Sequence, residues 1–202
     1  GGHARAEGQV SKAGEVAAAA AQPEPESEPQ AEFTACLART GPTDTMGLRL
    51  ELFDDSPIFI AKIDASSDTA TSRYNAAAPE HLRLQRGDYI VAADGRQQRS
   101  EIIPRLKSPL WERVELCVRR PKAAGVSFAK NGLPMGLTLK YDRFGDTILV
   151  IGIDRDGAAS ASGARLQIGD RIVAVNGKTG PVATLLRELK DCATVNLELS
   201  RL

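Results

Sequence analysis

Apolar residues recur at every second position in many short stretches of the chain, a pattern typical of strands with one buried face. Turn residues such as Gly145-Asp146 and Asn176-Gly177 separate these stretches. The pattern predicts strands in two groups. The first group comprises residues 33–39, 46–52, 58–63, 89–93 and 113–118, and the second comprises 126–129, 135–141, 148–153, 171–175 and 194–200.

Two helices are expected in each group. In the second group the apolar residues with helical spacing are Val182, Leu185, Leu186 and Leu189. Pro181 fits the first turn of this helix, and a shorter helix around residues 158–162 should end at Gly163. The matching helix of the first group contains Pro104. Because an interior proline removes a hydrogen bond, we expect that helix to be short or displaced.

The two groups are copies of one sequence. RLQRGDYIVAADGR at residues 83–96 and RLQIGDRIVAVNGK at 165–178 are identical at nine of fourteen positions. Met46-Gly47-Leu48 is likewise repeated as Met135-Gly136-Leu137. The two copies lie about 80–90 residues apart, which suits an independent small domain rather than one turn of a solenoid. The chain therefore divides into a tail (1–32), module one (33–120), a linker (121–125) and module two (126–202), and module one carries a longer connection at 64–82.

Composition and charge limit the partners that the chain is expected to have. Lys plus Arg and Asp plus Glu both total 26, so no net field favours nucleic acid or an anionic membrane. No apolar stretch approaches the roughly 18 residues of a membrane-spanning helix, so direct membrane insertion is not expected. The tail is acidic and ends in QPEPESEPQ. Such a segment cannot offset its ordering entropy by apolar burial, so it should be disordered.

The cysteines bear on the compartment. Cys36, Cys117 and Cys192 lack metal-ligand spacing and leave at least one thiol unpaired. Three free, largely buried thiols in a reducing, intracellular compartment are the main interpretation, with the cytoplasm as the expected location. A bridge between Cys36 and Cys117, on the first and last strands of module one, is the alternative. The alanine-rich start leaves open an organelle such as a plastid, reached after removal of a targeting segment.

The sequence offers little for catalysis. The only histidines are His3 in the tail and His81 in the longer connection, so neither module can assemble a Ser-His-Asp set. No metalloprotease, phosphate-loop or dinucleotide motif appears. We expect no enzyme, no cofactor and no metal site.

Module two resembles a PDZ domain across residues 126–202. The residues that carry the resemblance are Gly132-Leu-Pro-Met-Gly-Leu-Thr-Leu139, Asp156-Gly-Ala-Ala-Ser-Ala-Ser-Gly163 and Leu166-Gln-Ile-Gly-Asp-Arg-Ile-Val-Ala-Val-Asn-Gly177. Module one resembles a divergent PDZ domain through Met46-Gly47-Leu48 and through Gly87-Asp88 to Gly95. The resemblance implies a mostly β fold with two helices per module (α+β), arranged as two partly open β-sandwich or barrel domains in tandem.

The resemblance also implies a peptide-binding groove. A loop that turns into a strand directs successive amides at one point, which suits a terminal carboxylate. The amide donors are expected to be those of Met135, Gly136 and Leu137, with Gly136 keeping the approach free of a Cβ. The implied peptide-binding residues are Lys130, Met135, Gly136, Leu137, Thr138, Leu139, Val182, Leu186 and Leu189 in module two, and Met46, Gly47, Leu48, Leu50, Arg99 and Ile103 in module one.

Individual residues carry further expectations. Lys130 should add a screened charge near the ligand carboxylate. Val182 matches the position that reads the third ligand residue from the end and should prefer an apolar residue there, so exchanging that residue for Thr should weaken binding. Arg99 is either a reader of an acidic ligand residue or a solvated arginine. Trp111 should pack between the modules, and the aspartates of the two Gly-Asp turns should cap local backbone.

Three functions are compatible with the sequence. The first is a non-enzymatic scaffold or adaptor that binds C-terminal or extended peptides by strand addition, mainly through module two, with an apolar terminal residue preferred. The second is a structural subunit docked in a larger assembly, such as a membrane-associated or plastid one, with unused grooves. The third is the substrate-recognition fragment of a PDZ-containing protease. Independently of these alternatives, module one is expected to be structural and to stiffen its neighbour through the short connection.

Overall fold

The computed structural model describes residues 32–53, 56–64 and 68–202. These residues form a mostly β fold with two five-stranded antiparallel sheets, which confirms the predicted fold class. The first sheet contains β1 (Glu32–Ala38), β2 (Leu48–Glu51), β3 (Ile58–Ile63), β4 (Tyr89–Ala93) and β5 (Arg113–Arg119). The second contains β6 (Lys122–Ala129), β7 (Leu137–Lys140), β8 (Ile148–Ile153), β9 (Arg171–Val175) and β10 (Thr194–Arg201). The predicted disordered tail lies outside the described residues, apart from Glu32.

In the described part of the chain, four helices accompany the sheets. They are α1 (Ala70–Ala77), α2 (Arg99–Lys107), α3 (Ala158–Ala161) and α4 (Val182–Asp191), with a single 3-10 turn at Glu80–Leu82. Each module therefore has the two expected helices, and α1 of module one lies in the longer connection at 64–82, where no helix bounds were predicted. The start of α1 is fixed by a capping box, in which Thr69 and Ser72 each accept from the other's backbone amide.

Both sheets have the same strand order, as the sequence repeat requires. The first runs β1-β5-β4-β3-β2 and the second β6-β10-β9-β8-β7. The hydrogen-bonded ladder of each sheet thus ends at the equivalent strand, β2 or β7. Within the described residues β7 pairs only with β8, so one side of its backbone has no strand partner.

The predicted linker at 121–125 is mostly strand instead. β6 begins at Lys122 and pairs along its whole length with β10, from Arg201 opposite Lys122 to Thr194 opposite Ala129. Only Arg120 and Pro121 separate β5 from β6. The small residues Ala123, Ala124 and Gly125 suggest a break when read alone, but their amides and carbonyls are used by the long neighbouring strand.

Module one departs from two further expectations. Pro104 lies inside α2, yet this helix is nine residues long against ten for α4, so the proline neither shortens it much nor displaces it. Ile102 is buried, and Ile103 and Leu106 pack against the core, which offsets the lost hydrogen bond. Trp111 belongs to the core of module one rather than to the contact between modules.

The two Gly-Asp turns play the structural role predicted for them. Asp88 accepts from the amide of Gln85 and from Arg120, and Asp170 accepts in the same way from Gln167 and Arg201. Both carboxylates are 1% exposed. Each repeat therefore closes on an equivalent buried ion pair that joins the turn to the end of its module.

The modules contact each other through the faces of β3–β4 and β8–β9. Arg171 is 0% exposed, and its guanidinium lies 3.9 Å from the centre of the Phe59 ring. The same guanidinium pairs with Glu51 of module one and donates to Thr147 Oγ1 at 3.1 Å. Leu202 packs against the buried cluster of Phe59, Ala61 and Tyr89. We call this contact the module interface.

Candidate functional site

The segment that leads into β7, residues 133–137, is tied to the start of α3 by its carbonyl groups. The Pro134 oxygen accepts from the Ala158 amide at 2.8 Å, and the Met135 oxygen accepts from the Ala159 amide at 3.2 Å. The Gly136 oxygen accepts from the Asp154 amide at 2.8 Å. These bonds satisfy two amides of the first turn of α3, which would otherwise lack a partner. We call residues 133–137 the amide loop.

The inward carbonyls determine where the amides point. In a trans peptide unit the C=O of one residue and the N–H of the next point in opposite directions. Carbonyls of residues 134–136 that face α3 therefore turn the amides of Met135, Gly136 and Leu137 away from it, which are the three donors expected from the sequence. Among the described residues, no oxygen accepts a hydrogen bond from the amides of Met135 or Gly136.

The structural role of Gly136 differs from the expected one, which was to keep the approach of the ligand free of a Cβ. Its φ is +72°, and a Cβ on it would lie 2.5 Å from the Cα of Gly157. The missing side chain thus lets the amide loop approach the start of α3. It does not keep the ligand side clear, because a Cβ would point towards Gly157. The close contact of these two glycines is what allows the three inward carbonyl bonds.

An open cavity of about 530 Å³ lies beside the amide loop. It is lined by Lys130, Leu133, Pro134, Met135, Leu186, Leu189 and Lys190. Leu186 is half-buried on α4, whereas Leu189 is 1% exposed and belongs mainly to the core. Lys130 does line the cavity, but its Nζ donates to the carbonyl of Lys190 at 2.8 Å. Part of its charge therefore stabilises the C-terminal end of α4.

β7 supplies the unpaired strand edge. Thr138 is exposed, while Leu137 and Leu139 are half-buried and pack against the core of module two. On the opposite side from the free edge, Leu137 lies across from Ile153 and Leu139 across from Val150 in β8. The amide loop, the cavity and this edge are contiguous, so the predicted site residues of module two come together except for Val182.

One family model matches the same part of the chain. Residues 126–194 match the family model of the PDZ domain. This part of the chain is a PDZ domain. A search of curated proteins found no match.

Solved structures with PDZ domains are also similar to the chain. The structure of INAD PDZ45 in complex with NG2 peptide is 18% identical with a TM-score of 0.37, covering 88% of this chain and 92% of that one. A choanoflagellate SHANK1 PDZ domain bound to GIRK3 peptide is 22% identical with a TM-score of 0.36, covering 40% of this chain and 93% of that one.

Val182 lies at the start of α4, at the end of the site away from the amide loop, and its side chain is covered by the core of the PDZ domain. It is 1% exposed and belongs to the core, so its side chain cannot read a ligand residue in this conformation. Its amide donates to the carbonyl of Gly145 at 2.9 Å. The N-cap residue of α4 is Pro181, which offers no capping side chain. The Gly145 carbonyl takes over that role and brings the connection between β7 and β8 onto the helix.

Module one repeats the arrangement of the amide loop. The carbonyls of Thr45 and Met46 accept from the first amides of α1 at 3.1 Å each, and the Gly47 carbonyl accepts from Asp64 at 2.9 Å. Gly47 has a φ of +77°, and a Cβ on it would overlap Thr69. This equivalence agrees with the sequence repeat of Met46-Gly47-Leu48 and Met135-Gly136-Leu137.

An open cavity of about 510 Å³ in module one is lined by Met46, Gly47 and Leu48 but not by Leu50, Arg99 or Ile103. Leu48, Leu50 and Ile103 are half-buried and pack against the core of their module. Arg99 donates from Nη1 to the Ser56 carbonyl at 2.6 Å. Arg99 is therefore not a fully solvated arginine, and its contact with an acidic ligand residue stays a prediction.

The cysteines are free thiols, as the main interpretation predicted, although they are half-buried rather than largely buried. Cys117 donates to a carboxylate oxygen of Glu32 at 2.9 Å. Burial and the neighbouring Glu32 raise the pKa of the Cys117 thiol to about 11, so it is protonated at neutral pH. Within residues 32–53, 56–64 and 68–202, no group of His, Cys, Asp and Glu could hold a metal ion, and no helix is long and apolar enough to cross a membrane.

Proposed function

We propose that this protein is a non-enzymatic scaffold that binds protein C-termini or extended peptides by strand addition, mainly through its PDZ domain. One observation carries the proposal. The outward amides of Met135 and Gly136 have no acceptor among the described residues, and they lie between an open apolar cavity and an unpaired strand edge. Such a constellation suits a chain end that carries a carboxylate and an apolar last side chain.

The proposed binding mode assigns a role to each part. The terminal carboxylate accepts from the amides of Met135, Gly136 and Leu137, and the ligand backbone pairs antiparallel with β7. The last side chain enters the cavity next to Leu186. Burial of one apolar side chain contributes about 1.5–3 kcal/mol, and hydrogen bonds to a charged group contribute about 1.5–3 kcal/mol each. After the costs of ordering the peptide, micromolar affinity is expected.

We also propose that module one is a second, divergent PDZ domain whose main role is to support the first. Its strand order and its inward carbonyls at residues 45–47 support the family assignment. The half-buried Ile103 and the engaged Arg99 favour a supporting role over strong binding of its own. The support comes through the module interface, which includes Phe59 and Arg171, rather than through the two-residue connection.

The proposal predicts that binding depends on a free carboxylate. The full chain is screened by fluorescence polarisation against peptides with random C-terminal residues, and the best ligand is then compared with its C-terminal amide. Amidation should weaken binding by at least about tenfold, because it removes the charge from the group that meets three amides. Equal affinity of the acid and the amide, or no binding by any peptide, would favour the structural-subunit alternative.

A pair of variants locates the ligand on the PDZ domain. Leu186→Asp places a charge in the cavity and should weaken binding of the free-acid peptide by at least about tenfold, since an unpaired charge would lie against the apolar last residue. Leu110→Asp is the control, because Leu110 is 86% exposed on module one. Equal affinity of the two variants for the peptide would place the ligand elsewhere.

A further inference from the structure

Module one contacts the connection between β7 and β8 of the PDZ domain, residues 141–147, which we call the β7–β8 loop. Arg49 pairs with Asp142 at 3.2 Å, and Arg86 pairs with Asp146 at 2.8 Å. Thr147 Oγ1 lies 3.4 Å from a carboxylate oxygen of Glu51. Charges of module one thus hold the loop at both ends.

The same loop closes one end of the PDZ domain's groove. Gly145 lies between the two paired aspartates, and its carbonyl accepts a hydrogen bond from the Val182 amide. This bond joins the β7–β8 loop to the start of α4. The amide loop lies at the other end of β7. Because β7 is only four residues long, it can pair with about four ligand residues, and any ligand residue further from the C-terminus meets the β7–β8 loop.

We propose that module one is a specificity element of the PDZ domain: by clamping the β7–β8 loop through Arg49 and Arg86, it restricts ligand reading to the last few residues of a chain end. This inference rests on the proposed peptide binding. It implies that a ligand's upstream residues add little affinity while the clamp is closed. Releasing the clamp opens that end of the groove.

The two ion pairs Arg49–Asp142 and Arg86–Asp146, which form the clamp, can be removed without separating the modules. The side chains of both ion pairs are between 37% and 49% exposed, so each pair contributes little to the stability of the fold. The buried pair of Glu51 and Arg171 is left intact in an Arg49→Ala/Arg86→Ala variant. The control variant, Arg96→Ala/Lys107→Ala, also removes two positive charges from module one, and Arg96 pairs only with Asp94 of its own module.

The first measurement is hydrogen exchange of the Val182 amide by NMR in the full chain. Loss of two exposed ion pairs should speed this exchange by about fivefold in the Arg49→Ala/Arg86→Ala variant, while the interior amide of Leu189 and the control variant remain unchanged. An unchanged exchange rate of Val182 would overturn the clamp.

The second measurement compares two free-acid peptides that end in the same four residues, one four residues long and one extended upstream by four uncharged residues. The two should bind the parent and the control with similar affinity, whereas the longer should bind the clamp variant about fivefold more tightly than the shorter. The same length ratio in all three proteins would refute the inference and leave the proposed function standing. Failure of both peptides to bind the parent would refute the proposed function itself, and the exchange measurement distinguishes that case.

Discussion

Replacing Glu51 with alanine should lower the free energy of unfolding by about 3–5 kcal/mol, because it leaves the Arg171 guanidinium in the module interface without its counter-ion. Arg171 is 0% exposed and Glu51 is 5% exposed. An unpaired charge at such a position must either remain desolvated or break the interface to reach water. Urea unfolding of the full chain, followed by tryptophan fluorescence and by circular dichroism, measures the loss.

Two further variants test the reason for this loss. Glu115→Ala removes an exposed carboxylate from β5 of the same module and should change stability by no more than about 0.5 kcal/mol. Glu51→Leu/Arg171→Met replaces the pair with apolar side chains and should recover most of the stability, since Nε and Nη2 of Arg171 have no hydrogen-bond partner among the residues that the structure describes. Equal stability of Glu51→Ala and the parent would show that the modules are not docked through this pair.

Replacing Gly136 with alanine should destabilise the PDZ domain by about 3 kcal/mol and abolish peptide binding. The cost has two parts, the positive φ of +72° and the contact of the new Cβ with the Gly157 backbone at 2.5 Å. Separation of the amide loop from α3 would relieve the contact, but it would also turn the amides of the loop away from the ligand. Urea unfolding and fluorescence polarisation with the free-acid peptide measure the two effects.

Gly132 provides the matched control for this prediction. It also has a positive φ, +80°, but no atom lies within 4 Å of its Cβ position. Gly132→Ala should therefore cost only about 1 kcal/mol, from backbone strain alone, and should leave binding largely intact. Equal losses in the two alanine variants would contradict the importance of the contact between Gly136 and Gly157.

Most of the local structure could be predicted from the sequence because it depends on short-range periodicity. The alternation of apolar residues in β5 and β10 and the stripe on α4 reflect one buried face each. The repeat then required both sheets to have one strand order. The donors of the amide loop were also predictable, since their direction follows from a motif and from the planarity of the peptide unit.

The errors share one cause, which is contact with residues distant in the sequence. The predicted linker at 121–125 is mostly strand because β10 pairs with residues 122–125. Val182, predicted to contact a ligand, is covered by the core, and its amide donates to the Gly145 carbonyl. Lys130 does line the cavity, so its charge near a ligand carboxylate stays a prediction, but its bond to the Lys190 carbonyl was not predicted. None of these partners can be identified from the neighbouring residues.

The sequence by itself determined two similar modules, their strands, and the turn that leads into β7, because strand periodicity and turn chemistry act over a few residues. The sequence predicted the strand at residues 58–63, and the structure shows that Ile58, Phe59, Ile60 and Ala61 are all buried, so both faces of β3 are covered. Only the tertiary structure decided what covers the second face: Arg171 of the other module, held by Glu51 from 120 positions away. Burial of the Arg171 charge depends on the Glu51 carboxylate and the Phe59 ring, which belong to the other sheet. No local sequence pattern predicts contacts between residues so far apart in the chain.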